Sequence, residues 1–160
     1  MLYLVDTNIL LRFADRSHPL HPLIRIAVRE LFQDGHKLQI SSQNCIEFWN
    51  VATRPVERNG FGLTPPEAER LLQLIERLFP VLPDSSEIYR EWRRLVVVFG
   101  VSGVQVHDAR LVAVMKVNAI SHILTLNAED FKRYISEGIT AVAPGTVGGA
   151  TTSSSTRLEH

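Results

Sequence analysis

The chain opens with Met1-Leu-Tyr-Leu-Val-Asp-Thr-Asn8, and this stretch determines the fold class that the sequence predicts. The apolar run Leu2–Val5 stops abruptly at Asp6. A run of this length, bounded by turn-forming residues and followed by helix-like sequence, predicts a buried strand. Open α/β sheets bind ligands at the carboxyl ends of their strands, so Asp6, Thr7 and Asn8 are candidates for the floor of a metal or phosphate site. The competing interpretation is that Asp6 or Thr7 only caps the next helix.

Length and composition predict one soluble domain. The chain has 160 residues and no net formal charge, from 17 basic and 17 acidic residues, which argues against a protein that coats nucleic acid by bulk electrostatics. A single cysteine, Cys45, excludes an internal disulfide and a cysteine zinc cage. No run approaches the roughly 20 apolar residues that span a bilayer, and the amino terminus is no signal peptide. We therefore expect a cytoplasmic protein with no membrane segment.

Strand-like and helix-like segments alternate along the chain without tight hairpin signals. This pattern predicts a mostly parallel sheet covered by helices on both faces. Capping boxes are expected to start two of the helices, at Thr64-Pro-Pro-Glu67 and Asp84-Ser-Ser-Glu87. The predicted strands are Leu2–Val5, 37–41, 121–125 and 139–142, with Pro80-Val-Leu-Pro83 as a further short candidate.

The carboxyl-terminal segment differs in composition from the rest. From about Gly145 it consists largely of Gly, Thr and Ser, which cannot bury enough apolar surface to order itself. Its last residues, Leu158-Glu-His160, resemble the start of a vector-encoded histidine tag. We expect one domain over residues 1–144 and a flexible tail over 145–160 that is partly an expression-tag remnant.

Four acids stand at the boundaries of apolar segments: Asp6, Glu47, Asp108 and Asp130. Two like charges about 4 Å apart cost on the order of 4 kcal/mol at an effective dielectric constant near 20. If the four acids lie close together in the fold, they therefore require raised pKa values or bound cations. Oxygen ligands without cysteine or paired histidines favour Mg²⁺ or Mn²⁺, and suit hydrolysis of a phosphodiester by metal-activated water. The alternative is structural. Acids in the first turns of helices are favoured by the helix dipole, and Asn127 with Asp130 forms a plain start signal.

The four acids belong to four longer motifs. These are Leu4-Val-Asp-Thr-Asn-Ile9, Ile46-Glu-Phe-Trp-Asn-Val-Ala-Thr-Arg-Pro55, His107-Asp-Ala-Arg-Leu-Val-Ala113 and Ile123-Leu-Thr-Leu-Asn-Ala-Glu-Asp-Phe131. Together the motifs resemble the PIN-domain family, and within it the VapC-type toxin ribonucleases of toxin–antitoxin pairs. They occur in the family's order and cover the chain from Met1 to about Pro144. The resemblance implies a three-layer α/β/α sandwich with a mostly parallel central sheet, and Mg²⁺- or Mn²⁺-dependent endonucleolytic cleavage of RNA.

The resemblance also implies roles for individual residues. Many relatives carry Asp at the position of Asn127, whereas others use the acid just before the phenylalanine, here Asp130. We expect Asp130 to be the charged ligand and Asn127 a neutral ligand or orienting group. Thr7 and Thr125 are expected to aim the carboxylates by hydrogen bonds, as outer groups do at metal sites. The three acids that match the family's most regular positions are Asp6, Glu47 and Asp108.

Weaker candidates concern the substrate and the partners. Asn50 shares a helix face with Glu47, and Arg54 and Arg110 are candidate phosphate contacts. The resemblance suggests a homodimer and an antitoxin whose peptide packs in a groove. Interface burial would explain the surplus of large apolar residues on the helices around 71–78 and 92–98, as would an ordinary core.

Two other functions remain open at this point. One is a catalytically silent PIN domain that binds RNA or protein. The other is an acid-cluster enzyme acting on small phosphate esters. No second aspartate stands two residues after Asp6 and no glycine-rich phosphate loop follows the first strand, which disfavours the phosphatase.

Overall fold

The computed structural model describes residues 1–147. Within this range four strands form one sheet in the order β2-β1-β3-β4, and every pairing in it is parallel. The expected α/β class is confirmed, and the first strand lies in the interior of the sheet. The strands are β1 Leu2–Val5, β2 Lys37–Gln39, β3 His122–Leu124 and β4 Thr140–Val142.

Helices connect the strands, as parallel pairing requires. The α-helices are α1 Thr7–Ala14, α2 His21–Gln33, α3 Ser42–Thr53, α4 Pro65–Leu78, α5 Ser86–Val98, α6 Gln105–Val117 and α7 Pro144–Val147. Two further segments, Val56–Arg58 and Ala128–Glu137, are 3₁₀ helices.

The pleat of β1 divides the hydrophobic core into two layers. Tyr3 and Val5 point to one face of the sheet and pack with residues of α1 to α4. Leu4 points to the other face and packs with residues of α5, α6 and the second 3₁₀ helix. Because side chains alternate along a strand, a fully apolar strand is required to fill both layers. This is the three-layer α/β/α arrangement.

The register of the sheet brings two chain segments together at its carboxyl edge. Val5 of β1 pairs with Leu124 of β3, and the backbone N–H of Asp6 donates to the Leu124 carbonyl at 2.9 Å. The residues that follow, Asp6 and Thr125, therefore become neighbours although 119 positions separate them in the chain.

Two expectations about local structure are wrong. Val81 makes only an isolated bridge to Ile40 and no strand, since the flanking Pro80 and Pro83 have no N–H to donate to a ladder. The capping box at Asp84 does not form. Ser85 is the N-cap of α5 without a side-chain hydrogen bond.

The described part of the chain extends beyond residue 144, where we expected the domain to end. Helix α7 continues to Val147, whose side chain packs against the first core layer. The remaining residues of the expected tail, 148–160, lie outside the described residues. No helix within residues 1–147 is long and apolar enough to cross a membrane.

Candidate functional site

Asp6 is held at the end of β1 by two hydrogen bonds. Its Oδ1 accepts from the backbone N–H of Thr7 at 2.8 Å, and its Oδ2 accepts from the Thr125 hydroxyl at 2.8 Å. The residue is the N-cap of α1 and is only 7% exposed. Asp6 therefore caps α1 and also lies at the carboxyl edge of the sheet, so the expected cap is confirmed and the metal or phosphate site stays a prediction.

Glu47, in the second turn of α3, is fixed at both oxygens. Its Oε2 accepts from the Thr7 hydroxyl at 2.7 Å, and its Oε1 accepts from the Gln43 amide at 2.8 Å. Thr7 in turn accepts from the side-chain amide of Asn44 at 3.0 Å. Each carboxylate oxygen keeps one free lone pair, so the carboxylate is oriented and remains able to ligate.

Asp108 lies half-buried in the first turn of α6, within electrostatic reach of the other acids. Burial raises its pKa to about 6, and the negative charges of Asp130 and Glu47 add to this effect. Burial likewise raises the pKa of Asp6 to about 6, with smaller contributions from Asp108 and Glu47, while the Thr125 and Thr7 hydrogen bonds oppose the rise. The charge of Glu47 thus acts on both Asp6 and Asp108, and that of Asp130 acts on Asp108. A bound cation would relieve such repulsion between carboxylates.

The loop after β3 is attached to the start of α1. The Asn8 side chain accepts from the Leu126 N–H at 3.2 Å and donates to the Thr125 hydroxyl at 3.5 Å. Asn127 donates its backbone N–H to the same hydroxyl at 3.0 Å and precedes the 3₁₀ helix that carries the exposed Asp130. Thr125 thus joins Asp6, Asn8 and Asn127.

The weaker candidates divide between two places. Asn50 and Arg110 line a cleft of about 510 Å³ together with Glu47. Arg110 donates to Gln43 at 3.1 Å and lies 3.6 Å from Asp84. Arg54 is the C-cap of α3, seven residues beyond Glu47 and about 10 Å further along the helix axis, and it does not line the cleft.

Gln43 and Asn44 belong to the network, although sequence reasoning missed them. Both are buried, and Asn44 also closes a capping box with Ser41. The spacing Ser41-x-x-Asn44 is a start signal that the sequence does show. The contact between Asn44 and Thr7 spans 37 positions, however, and no local pattern reveals it.

The candidate ligands suit a hard cation by the type of their ligating atoms. Every candidate ligand is an oxygen, which favours Mg²⁺ or Mn²⁺. Among residues 1–147, no three His, Cys, Asp or Glu side chains are grouped closely enough to form a ready-made metal cage. Mg²⁺ commonly keeps several waters and takes only one or two carboxylates, so the residues present fit such an ion.

A family model described as PIN domain matches residues 3–135, most of the chain. The chain therefore belongs to the PIN domain family. No curated protein sequence gives a significant match.

Solved structures with the same fold include two VapBC structures and a VapC toxin. The VapBC2 complex of Rickettsia felis, bound to a promoter DNA fragment, has a TM-score of 0.64 at 15% identity over 89% of this chain and 98% of that one. VapBC-1 from nontypeable Haemophilus influenzae has a TM-score of 0.64 at 17% identity over 90% and 98%. VapC20 of Mycobacterium tuberculosis, a toxin that cleaves the sarcin-ricin loop, has a TM-score of 0.56 at 15% identity over 76% and 86%.

Proposed function

We propose that this protein is an Mg²⁺- or Mn²⁺-dependent endoribonuclease and the toxin of a toxin–antitoxin pair. The observation that carries the proposal is the pair of fixed carboxylates, Asp6 and Glu47, which share the Thr7 anchor and lie within electrostatic reach of Asp108. Membership in the PIN domain family supports this choice over other acid-rich sites.

The residues divide the work of phosphodiester hydrolysis among them. Asp6, Glu47, Asp108 and Asp130 are the proposed ligands, with Asn127 as a neutral ligand or orienting group. Carboxylates that do not bind the cation directly would reach it through the waters that it keeps. When bound, the ion supplies an activated water and neutralises charge on the phosphate. Thr7 and Thr125 hold the carboxylates in position by hydrogen bonds. Because water is the attacking group, no protein nucleophile is needed. The expected products carry 5′-phosphate and 3′-hydroxyl ends.

The cleft beside Glu47 is the proposed path of the RNA. Asn50 and Arg110 lie in this cleft and would contact the backbone. A chain with no net charge gives little bulk attraction for duplex nucleic acid, and it suits a short stretch of single strand held by a few local contacts.

The test is cleavage of labelled single-stranded RNA with Mn²⁺ or Mg²⁺, compared with EDTA and with Asp108→Asn. We expect metal-dependent cleavage by the wild-type protein and at least a hundredfold loss in the variant. Equal cleavage by the two proteins would identify a contaminating nuclease and remove the support for the proposal.

An antitoxin is the proposed protein partner. Phe13 of α1 and several residues of α4 line a groove of about 420 Å³. Leu74 and Leu78 expose apolar surface there, and the cationic Arg16 and Arg77 flank it. A peptide with apolar anchors and acidic neighbours would match this surface. The VapBC structures, which share the fold of this chain, support this choice of partner.

Homodimer formation is proposed for the other helical layer. On α5, Tyr89, Val97 and Val98 are exposed, whereas Leu95 on the same helix is fully buried. The surplus of apolar residues noted in the sequence is thus divided between the core and exposed positions of α5. The adjacent exposed valines Val97 and Val98, at the carboxyl end of α5, are the proposed dimer contact.

A catalytically silent PIN domain is the second candidate function. The lack of a ready-made three-acid cage among residues 1–147 favours it. The two candidates differ in cation binding. A silent module would show no saturable Mn²⁺ binding in calorimetry, whereas the nuclease would bind Mn²⁺ even without RNA.

A further inference from the structure

Gln43 makes more contacts at the site than any role in capping α3 would require. It lies in the first turn of α3 and is 8% exposed. Its Nε2 donates to Glu47 Oε1 at 2.8 Å and to the backbone carbonyl of His107 at 2.8 Å, and its Oε1 accepts from Arg110 at 3.1 Å. The amide therefore joins α3 to the first turn of α6.

The neighbours of Gln43 allow only one orientation of its amide. A carboxylate and a carbonyl can only accept hydrogen bonds, so they must face the NH₂ group. A guanidinium can only donate, so it must face the oxygen. A rotated amide would lose all three hydrogen bonds and would set its oxygen against Glu47.

The His107 carbonyl is one residue before Asp108. Gln43 consequently ties the Glu47 carboxylate to the backbone turn that carries Asp108. The Arg110 guanidinium, also on α6, holds the amide from its opposite side. A carboxylate oriented by such a network loses less freedom when it takes up an ion.

We propose that Gln43 is a positioning residue, which sets the Glu47 carboxylate relative to Asp108, and that Arg110 acts on the site by holding Gln43. This inference rests on the proposed metal-dependent function. It assigns Arg110 a task that does not need RNA, in addition to any phosphate contact.

The test is the Mn²⁺ affinity of the protein without RNA, measured by isothermal titration calorimetry. Gln43→Met keeps the length of the side chain and removes its polar contacts. We expect the affinity to fall roughly 10- to 100-fold, the usual effect of losing an outer hydrogen bond at a metal site. The control is Gln73→Met, because the Gln73 amide also donates to a glutamate one helical turn away, Glu69, but on an exposed face of α4.

Three outcomes separate the inference from the proposed function. Absence of Mn²⁺ binding by the wild-type protein overturns the proposed function and this inference with it. Wild-type binding that Gln43→Met leaves unchanged overturns the inference alone. Weaker binding by Gln43→Met but not by Gln73→Met supports it, provided that the two variants unfold at similar temperatures in EDTA.

Arg110→Met gives a second test that does not alter Gln43. Loss of a positive charge near an acidic site should by itself strengthen cation binding, because like charges repel. Loss of the hydrogen bond from Arg110 to Gln43 should instead weaken cation binding. We expect a several-fold weaker Mn²⁺ affinity in Arg110→Met and partial recovery in Arg110→Lys, and a tighter affinity in Arg110→Met would overturn the role given to Arg110.

Discussion

Asp6 shows how one side chain can serve both the fold and the site. Its carboxylate caps α1 while burial raises its pKa to about 6. The folded protein therefore keeps a carboxylate whose charged form is unfavourable where it lies. Asp108 is in the same situation, with Asp130 and Glu47 as neighbours. Such strain is common at functional sites, where stability is given up for chemistry.

Asp108→Asn should stabilise the metal-free protein. The substitution removes a charge that burial, Asp130 and Glu47 all disfavour. After allowance for the exposure and screening of this half-buried group, we expect a gain on the order of 1 kcal/mol, or about 2–4 °C in melting temperature. Thermal unfolding in EDTA at pH 7 measures it. The control is Asp15→Asn, since hydrogen bonds from Ser17 lower the pKa of Asp15 and its loss should give no gain.

The stability gain of Asp108→Asn should depend on pH. The pKa of Asp108 rises from 3.8 to about 6 on folding, so the folded state binds more protons than the unfolded state between these values. The contribution of Asp108 to the free energy of unfolding is therefore present below pH 4 and is lost as the pH rises through 6. We expect the difference in unfolding free energy between variant and wild type to grow from pH 5 to pH 7.5. A constant difference would contradict the raised pKa.

At the scale of single residues, acids are easier to select as site candidates from the sequence than amides are. Asp6, Glu47 and Asp108 stand at element boundaries, where a charge next to an apolar run is visible in the sequence. Gln43 and Asn44 are ordinary helix-start residues in the sequence. Their partners lie 64 and 37 positions away, and only the folded chain reveals them.

At the scale of elements, the two expected capping boxes had different outcomes. Thr64 and Glu67 form theirs, with side-chain bonds to each other's backbone N–H. Asp84 instead accepts from the Ser42 hydroxyl at 2.7 Å and lies near Arg110. Tertiary contacts from α3 and α6 have replaced the local bond that the pattern S-x-x-E or D-x-x-E favours.

This difference predicts unequal costs for two alanine substitutions at N-cap positions. Thr64→Ala removes a hydrogen bond to the Glu67 N–H and should destabilise the protein by about 1 kcal/mol. Ser85→Ala removes a side chain that makes no capping bond and should cost close to nothing. Urea unfolding of both variants measures the contrast. Equal losses would show that the capping assignment is incorrect.

At the scale of the molecule, the alternation of strands and helices was enough to predict a parallel sheet with helices on both faces. The pairing register was not available from sequence, because strands of three or four residues carry no register signal of their own. The order β2-β1-β3-β4 places β1 beside β3, and this pairing builds the contact between Asp6 and Thr125. The site is therefore a property of topology as well as of motif.

The exposed valines at the carboxyl end of α5, Val97 and Val98, predict self-association. Val97 is 74% exposed, and a glutamate there would introduce charge into an apolar dimer interface. We expect the wild-type protein to be a dimer by light scattering and Val97→Glu to be a monomer at the same concentration. Leu74→Glu, which changes the groove on α4 instead, serves as the control and should remain dimeric. A monomeric wild-type protein would contradict the proposed interface.

Anomalous diffraction from crystals soaked in Mn²⁺ would locate the proposed metal centre without relying on activity. We expect an anomalous peak at the carboxyl edge of the sheet, with the ion ligated by carboxylate oxygens of Asp6 and Asp108 and by Glu47 directly or through water. A crystal with no peak at this edge, or with Mn²⁺ bound only at other places on the protein, would contradict the assignment of these acids as a metal centre.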